Sequence, residues 1–557
     1  MPLELADLQD EGTYFVCKPT VVLKETNDGK TGINHLLLGD WLQFQGESNV
    51  HEGKTYAKVK CRGDTGWLQL DEFDAVRGLE VNFVDVGQGD GCHIVTPDDK
   101  VFLIDAGVSD NMNRFLSWRY KLRGRNVPDT EGFDPNRAEK RPWKIDYVLI
   151  SHPDNDHYLG LKYVIRNPKL QFGDVFHNGI IERPDEEEHD GVDYPWDLGG
   201  QFEASGEKYL FDYVATTAEL EAISDRHPRT TKDLLTTVRA LFASSPNCTV
   251  RSLGVDMATL DQDIFVPDFE DDKAFSLQVL GPIREQVTFS GADRKALRRL
   301  GNESETKNGH SVILKGCYGN LRLLLGGDLN EPSQNFLLKA YAGTEKTPDE
   351  VHKAIGKLMA KRQPLTSAQQ QELNALEAQR VRLATRGNEV FGADIAKACH
   401  HGSQHILDDF IRATDAVATV LSSGDNESHS HPRPDALGAY GKHSHGNRPL
   451  IFSTELARST KEFSTPVPDF VALLEEIGAV DAITDTAERR AAIKAIEARK
   501  DRNVAVYGMI TVRALGDKVV IAQKLEKPRK DSQKWDWYEL RFDAGAGRYL
   551  RYTGRKH

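Results

Sequence analysis

The 557 residues carry 71 lysines and arginines against 85 aspartates and glutamates, a formal net charge of −14, so the molecule as a whole exerts no pull on nucleic acid or anionic membrane. Hydrophobic residues make up 39% and charged residues 28%, a globular composition on a chain long enough for a large core and more than one domain. The six cysteines have no paired spacing, Met1–Asp7 lacks a basic stretch followed by an apolar one, and no run nears the ~18 apolar residues of a membrane span; reduced thiols fit better than a disulfide framework, and a soluble, cytoplasmic protein with no membrane contact is expected.

Residues 1–76 alternate short β-rich runs with turns, at Thr13–Val22, Leu38–Phe44, Tyr56–Cys61 and Trp67–Leu70, and predict a small N-terminal β-barrel. Gly39-Asp40-Trp41-Leu42 and Gly66-Trp67-Leu68-Gln69-Leu70 make it resemble SH3-like accessory modules in a general way, and a protein partner is the ligand such a module would take. From residue 77 the pattern becomes strand and glycine turn: Leu79–Val86, then Gly87-Gln88-Gly89-Asp90-Gly91, then Cys92–Val95, Val101–Ile104 and Asp105-Ala106-Gly107. Residues 106–143 mix Arg114, Arg119, Lys121, Arg123, Arg125, Arg137, Lys140 and Arg141 with Phe115, Trp118 and Tyr120. Basic plus aromatic is the composition of a nucleic-acid groove, which singles out Arg119, Arg123, Arg125, Lys140 and Trp118; a surface helix with inward-packed aromatics has the same composition.

The apolar run Ile145–Ile150 leads directly into His152-Pro153-Asp154-Asn155-Asp156-His157. Four potential ligands in six residues, delivered by a strand to a tight turn, form a metal-site signature, and imidazole nitrogen with carboxylate oxygen suits zinc, with manganese or iron as other occupants. Residues 182–274 are acidic and predict a loop-rich segment; 341–390 predict a helical hairpin split near Pro364, a second surface for a protein partner; 456–502 include a helical stretch at Ala487–Lys500.

The order strand, GQGD, strand, strand, DAG, insertion, strand, HPDNDH resembles the opening of the metallo-β-lactamase fold as found in the soluble domain of the DNA-uptake protein ComEC. Thr306–Leu314 resembles that family's asparagine-serine strand and Leu323–Asp328 its Gly-Asp strand end, and His400-His401-Gly402-Ser403, Ser422–Asn426 with His431-Pro432, and Tyr507–Val512 resemble its later motifs in the same order. The resemblance implies an α/β fold, an αββα sandwich over residues 77–557, with insertions near 106–143, 182–274, 341–390 and 456–502. It implies one or two ions held by His152, Asp154, Asp156, His157, Asp328 and one of His400 and His401. His177, at a strand end, is the best-placed further ligand, with His227 and His310 as weaker alternatives. Asp156, His157, Asp328, His400 and His401 would serve catalysis, and Ser403, Asn426 and His431 would contact substrate.

Metal ions that activate a hydroxide need no serine or cysteine nucleophile, and a carboxylate-rich ligand set suits phosphodiesters. The expectation is a metal-dependent phosphodiesterase or nuclease acting on DNA. A small phosphoester or ester hydrolase and a metal-stabilised binding component of a multiprotein defence or DNA-processing system are the alternatives.

Overall fold

The computed structural model describes residues 3–27, 29–122, 142–184, 193–227, 233–245, 247–361, 363–424, 430–455, 478–480, 482–485, 488–489, 492, 508–526, 528 and 530–554. Seven antiparallel strands between Thr13 and Asp74 form the N-terminal sheet, with buried and half-buried positions alternating along Thr20–Lys24 as a one-sided strand requires. Val16, Leu23, Leu36, Leu42, Val59 and Leu68 fill its core. The sheet is consistent with a half-barrel, whose end strands, Gly32–Leu37 and Phe73–Asp74, are not paired with each other. The reason lies at the other end of the chain. Trp535 Nε1 donates to the His35 carbonyl at 3.0 Å and Lys534 Nζ lies 3.4 Å from the Ile33 carbonyl, so a C-terminal segment satisfies the edge that closure would otherwise cover.

The remainder is built on two sheets. The larger has ten strands in the order Val250–Ser252, Leu170–His177, Trp143–Leu149, Val101–Ile104, Cys92–Val95, Leu79–Phe83, Ile510–Leu515, Lys518–Lys524, Trp535–Asp543 and Arg548–Gly554. The smaller has six, Ser276–Gly281, Ile313–Tyr318, Leu321–Leu325, Ile395–Lys397, Ala418–Leu421 and Leu450–Ser453. Phe83, Ile94, Phe102, Ile104, Leu149 and Phe176 from the first sheet share one apolar cluster with Leu277, Val279, Ile313, Leu323 and Leu325 from the second. Burying each such side chain stabilises the fold by roughly 1.5–3 kcal/mol.

Alternate residues of the large sheet, Val101, Leu103 and Val148, instead meet Phe115, Leu161 and Leu235 of the helices Asn111–Arg119, Leu161–Ile165 and Asp233–Ser244. Leu338, Phe391 and Phe410, from Glu331–Ala342, Ser367–Phe391 and Asp408–Thr414, join Leu324 and Ala396 of the small sheet. Helices thus cover both sheets, the layering expected for the αββα sandwich. Val101–Ile104, Trp143–Leu149 and Leu170–His177 run parallel, as do Leu321–Leu325, Ile395–Lys397 and Ala418–Leu421. Their carboxyl ends therefore emerge at one edge, the place where open α/β sheets bind ligands.

Two segments depart from the sequence reading. Residues 182–274 hold a three-stranded sheet, Asp193–Trp196, Gly199–Ala204 and Glu207–Leu210, and two helices, where a loop-rich insertion was expected. Thr306–Gly309 ends the helix Glu303–Gly309, so the expected strand begins only at Ile313. The hairpin within 341–390 is present as Pro348–Met359 and Ser367–Phe391, while most of 456–502, with the helical stretch Ala487–Lys500, lies outside the described residues.

Candidate metal centre

The strand Trp143–Leu149 hands the chain to Ser151 and His152, and the short helix Asn155–Tyr158 carries Asp156 and His157 inward. This loop lies against the glycine turn: Asp90 N–H donates to the Asp156 carbonyl at 3.3 Å, and a Cβ on Gly89 would lie 1.7 Å from that same oxygen. Only glycine tolerates the approach, and its φ of +103° is one that side chains resist. Opposite, Gly327 at φ +54° packs on Ser311 and Ser151, and Asp328 follows it. Three residues with side chains also hold left-handed backbone here, Asp105, His400 and His401, at φ 56°, 49° and 54°. Such conformations cost on the order of 1–3 kcal/mol each, and their clustering at one edge marks it as functional.

His152, His157 and Asp328 form one set of closely spaced ligand atoms; Asp156, His157 and His401 form a second; Asp90, Asp328 and His401 a third; Asp90, Asp105 and His157 a fourth. Asp328 Oδ2 lies 3.2 Å from His157 Nε2 and 2.9 Å from His401 Nε2, and Asp156 Oδ2 lies 3.4 Å from His401 Nε2. Asp105 accepts from His157 Nδ1 at 2.8 Å and from the Ser151 N–H at 2.8 Å, which fixes the imidazole tautomer and turns Nε2 toward Asp328. His401 Nδ1 lies 3.1 Å from the Ser422 carbonyl and 3.1 Å from Asp90 Oδ1, with the same consequence for its Nε2. His152 Nδ1 meets the hydroxyls of Ser151 and Ser311 at 3.1 and 3.2 Å. Nε2 of His152, His157 and His401 are buried and make no hydrogen bond.

Electrostatics point the same way. Burial opposes charge on His157 and His401, yet Asp328 with its neighbouring carboxylates outweighs it and holds both imidazoles well above the usual histidine range. Burial pushes His152 well below that range. The buried carboxylates of Asp328 and Asp90 are resisted by burial but drawn down by these imidazoles and by Lys397. Carboxylates gathered around three imidazole lone pairs demand a cation, and a divalent ion fits both the charge and the donor set.

Of the residues expected from sequence, His152, Asp156, His157, Asp328 and His401 converge. His401, not His400, enters the ligand sets; the His400 ring instead lies 5.8 Å from that of His431, which in turn is 6.0 Å from His401 at the rim. Asp154 is turned away: its carboxylate caps the Asn155 N–H at 3.0 Å and meets Lys307 at 3.4 Å. His177 is also corrected. Its Nδ1 accepts from the Gly179 N–H at 3.0 Å, so the proton resides on Nε2 and no lone pair remains for a metal, and the ring borders a small apolar pocket with Val148, Ile150, Leu161 and Val238. His310 Nε2 bonds the Arg298 carbonyl at 2.6 Å, and Ser403 Oγ accepts from the His405 N–H at 3.2 Å. Sequence reading missed the roles of Asp90, Asp105 and Lys397, although Asp90 and Asp105 end the GQGD and DAG turns that carried the resemblance.

The proposed groove is corrected in part. Arg119 makes a two-toothed bond to Glu80 at 3.1 and 2.8 Å beside Arg513, and Trp118 packs on Phe115 with Arg62 and Lys524 over its ring. Both are used within the fold because a buried Glu80 needs paired guanidinium groups. Arg123, Arg125, Lys140 and Asn426 lie outside the described residues.

Residues 92–171, which include the loop 152–157 and Asp105, match the model of the metallo-beta-lactamase superfamily. Residues 92–171 thus carry a stretch of the metallo-β-lactamase superfamily domain. Asp105, His152, Asp156 and His157 of the ligand clusters fall within it, and Asp90, Asp328 and His401 outside it. No curated protein matches the chain in sequence. Among solved structures, a CmlA beta-hydroxylase mutant is 12% identical over 69% of this chain and 53% of its own, with a TM-score of 0.23. No helix among the described residues is long and apolar enough to cross a membrane.

Proposed function

We propose that this metallo-β-lactamase domain is a metal-dependent phosphodiesterase and that its substrate is DNA. The observation that carries the proposal is the convergence of Asp156, His157, Asp328 and His401, a ligand set rich in carboxylate oxygen and matched to hard, anionic phosphodiester oxygens. Those residues, with His152, would hold the metal, zinc or manganese. When bound, a divalent cation supplies Lewis acidity and a water-derived nucleophile at neutral pH. Asp105 fixes the His157 ring, and Asp90 with the Ser422 carbonyl fixes that of His401, so the ligand lone pairs are aimed before any ion arrives. His431 and His400, whose rings lie 5.8 Å apart, would meet the substrate's non-bridging oxygens. The DNA assignment draws on the ordered motifs shared with the ComEC soluble domain.

A small phosphoester as substrate is the second reading. It is favoured by the inward use of Arg119 and Trp118, which removes two members of the basic-aromatic surface a polyanion would track. Cleavage of single-stranded DNA, duplex DNA, RNA and a chromogenic phosphodiester, with and without added manganese or zinc, decides between them. Metal-dependent DNA cleavage that vanishes in His157→Ala and Asp328→Asn is expected. Turnover confined to the small ester, with all nucleic acids intact at low salt, overturns the DNA reading.

A further inference from the structure

We propose that Lys397 is a resident cation of the metal centre: its ammonium fills the seat between Asp90 and Asp328, so that Asp90 is kept out of the metal-ligand set. The inference rests on the metal-centre reading above and concerns how many ions, and which carboxylates, take part.

Asp90, Asp328 and His401 are spaced closely enough to bind an ion, and all three are buried. The lysine stands between the two carboxylates of that set. Lys397 ends the strand Ile395–Lys397, is 6% exposed, and sends its Nζ into contact with Asp90 Oδ2, to 2.9 Å from the Gly327 carbonyl and to 3.4 Å from Asp328 Oδ1. An ammonium group has three N–H donors, and three oxygens surround this one. Each carboxylate is thereby divided. Asp90 gives one oxygen to the lysine and turns the other to His401 Nδ1 at 3.1 Å; Asp328 gives Oδ1 to the lysine and leaves Oδ2 facing His157 and His401. The lysine thus acts as a positioning residue, holding Asp328 with one oxygen aimed at the imidazole lone pairs. It also sets a positive charge against a carboxylate pair that would otherwise recruit a further divalent ion, which leaves the ions of the centre the sets built from His152, Asp156, His157, His401 and Asp328 Oδ2.

The test is metal stoichiometry rather than turnover: equilibrium dialysis of the full chain against Mn²⁺, then elemental analysis, with folding followed by circular dichroism. At saturating Mn²⁺, where a weaker affinity does not lower the count, Asp90→Asn should hold as many equivalents as the unaltered chain, the Ser422 carbonyl still holding His401 Nδ1. Lys397→Met should gain one equivalent, because the vacated seat retains both carboxylates, and the double variant Lys397→Met/Asp90→Asn should lose it again. Loss of an equivalent in Asp90→Asn, or an unchanged count in Lys397→Met, overturns the inference while leaving the metal centre standing. No bound metal in the unaltered chain overturns both. If Lys397→Met does not fold, the Asp90→Asn count decides alone.

Discussion

His157 shows how much of a metal ligand's behaviour is set by what stands behind it. Its Nδ1 is held by Asp105, itself anchored by the Ser151 N–H, so removing the carboxylate's charge frees the ring to rotate and weakens its basicity. Asp105→Asn should lower divalent-metal affinity roughly 10–100-fold with the fold intact, measured by competition against a chelating dye. Unchanged affinity would show that ring orientation is set elsewhere. Arg119 makes the opposite case, a residue whose charge looked outward in the sequence and is spent inward. Arg119→Ala leaves Glu80 with Arg513 as its remaining guanidinium partner and should destabilise the protein by about 3 kcal/mol in urea unfolding. DNA affinity at low salt should not change in the folded variant; a stable protein that binds DNA less well would restore the groove.

At the scale of elements, the site depends on loops that touch through backbone. Gly89 and Asp156 lie on different turns, yet the glycine's missing Cβ is what lets Asp156 approach. Gly89→Ala should displace the loop 152–157, reducing bound metal and lowering the thermal midpoint together. A variant with full metal content would show that the turn yields without cost. The helix Glu303–Gly309, where a strand was expected, is explained by a local signal: Asn302 accepts from the Glu305 N–H at 2.9 Å and Glu305 answers to the Asn302 N–H at 2.8 Å. This capping box was legible in Asn302-Glu303-Ser304-Glu305 and outweighs the β-like look of the residues that follow.

Across the whole molecule, several histidines are buried neutral. Burial pushes His93 down to about 3, with Asn82 donating to its Nδ1 at 3.0 Å and Tyr120 at 2.6 Å from Nε2; burial likewise holds His177 and His310 at about 4. Each imidazole takes up its proton more readily in the unfolded chain, near pH 6.5. Their contribution to stability is therefore complete above that pH and is lost as pH falls from about 6.5 toward 4 and 3, at up to about 1.4 kcal/mol per pH unit for each group. Urea midpoints recorded across this window should fall with acid, and His93→Gln should flatten the slope by about one proton. An unchanged slope would mean that His93 takes no part.

The sequence by itself carried the motif order, the helical hairpin and four members of the ligand cluster, His152, Asp156, His157 and Asp328, because each motif is written in neighbouring residues: an apolar run, a turn, then the polar side chains. Tertiary structure decided what depends on residues far apart in the chain. Asp90 and Lys397 meet across 307 positions, Lys307 holds the Asp154 carboxylate, and His401 rather than His400 enters the ligand sets with its Nδ1 held by the distant Asp90 and by the Ser422 carbonyl. Spacing along the chain tells which side chains are available at a strand end. Only the packing of the two sheets tells which lone pairs remain free, because a hydrogen bond from any distant element can claim one.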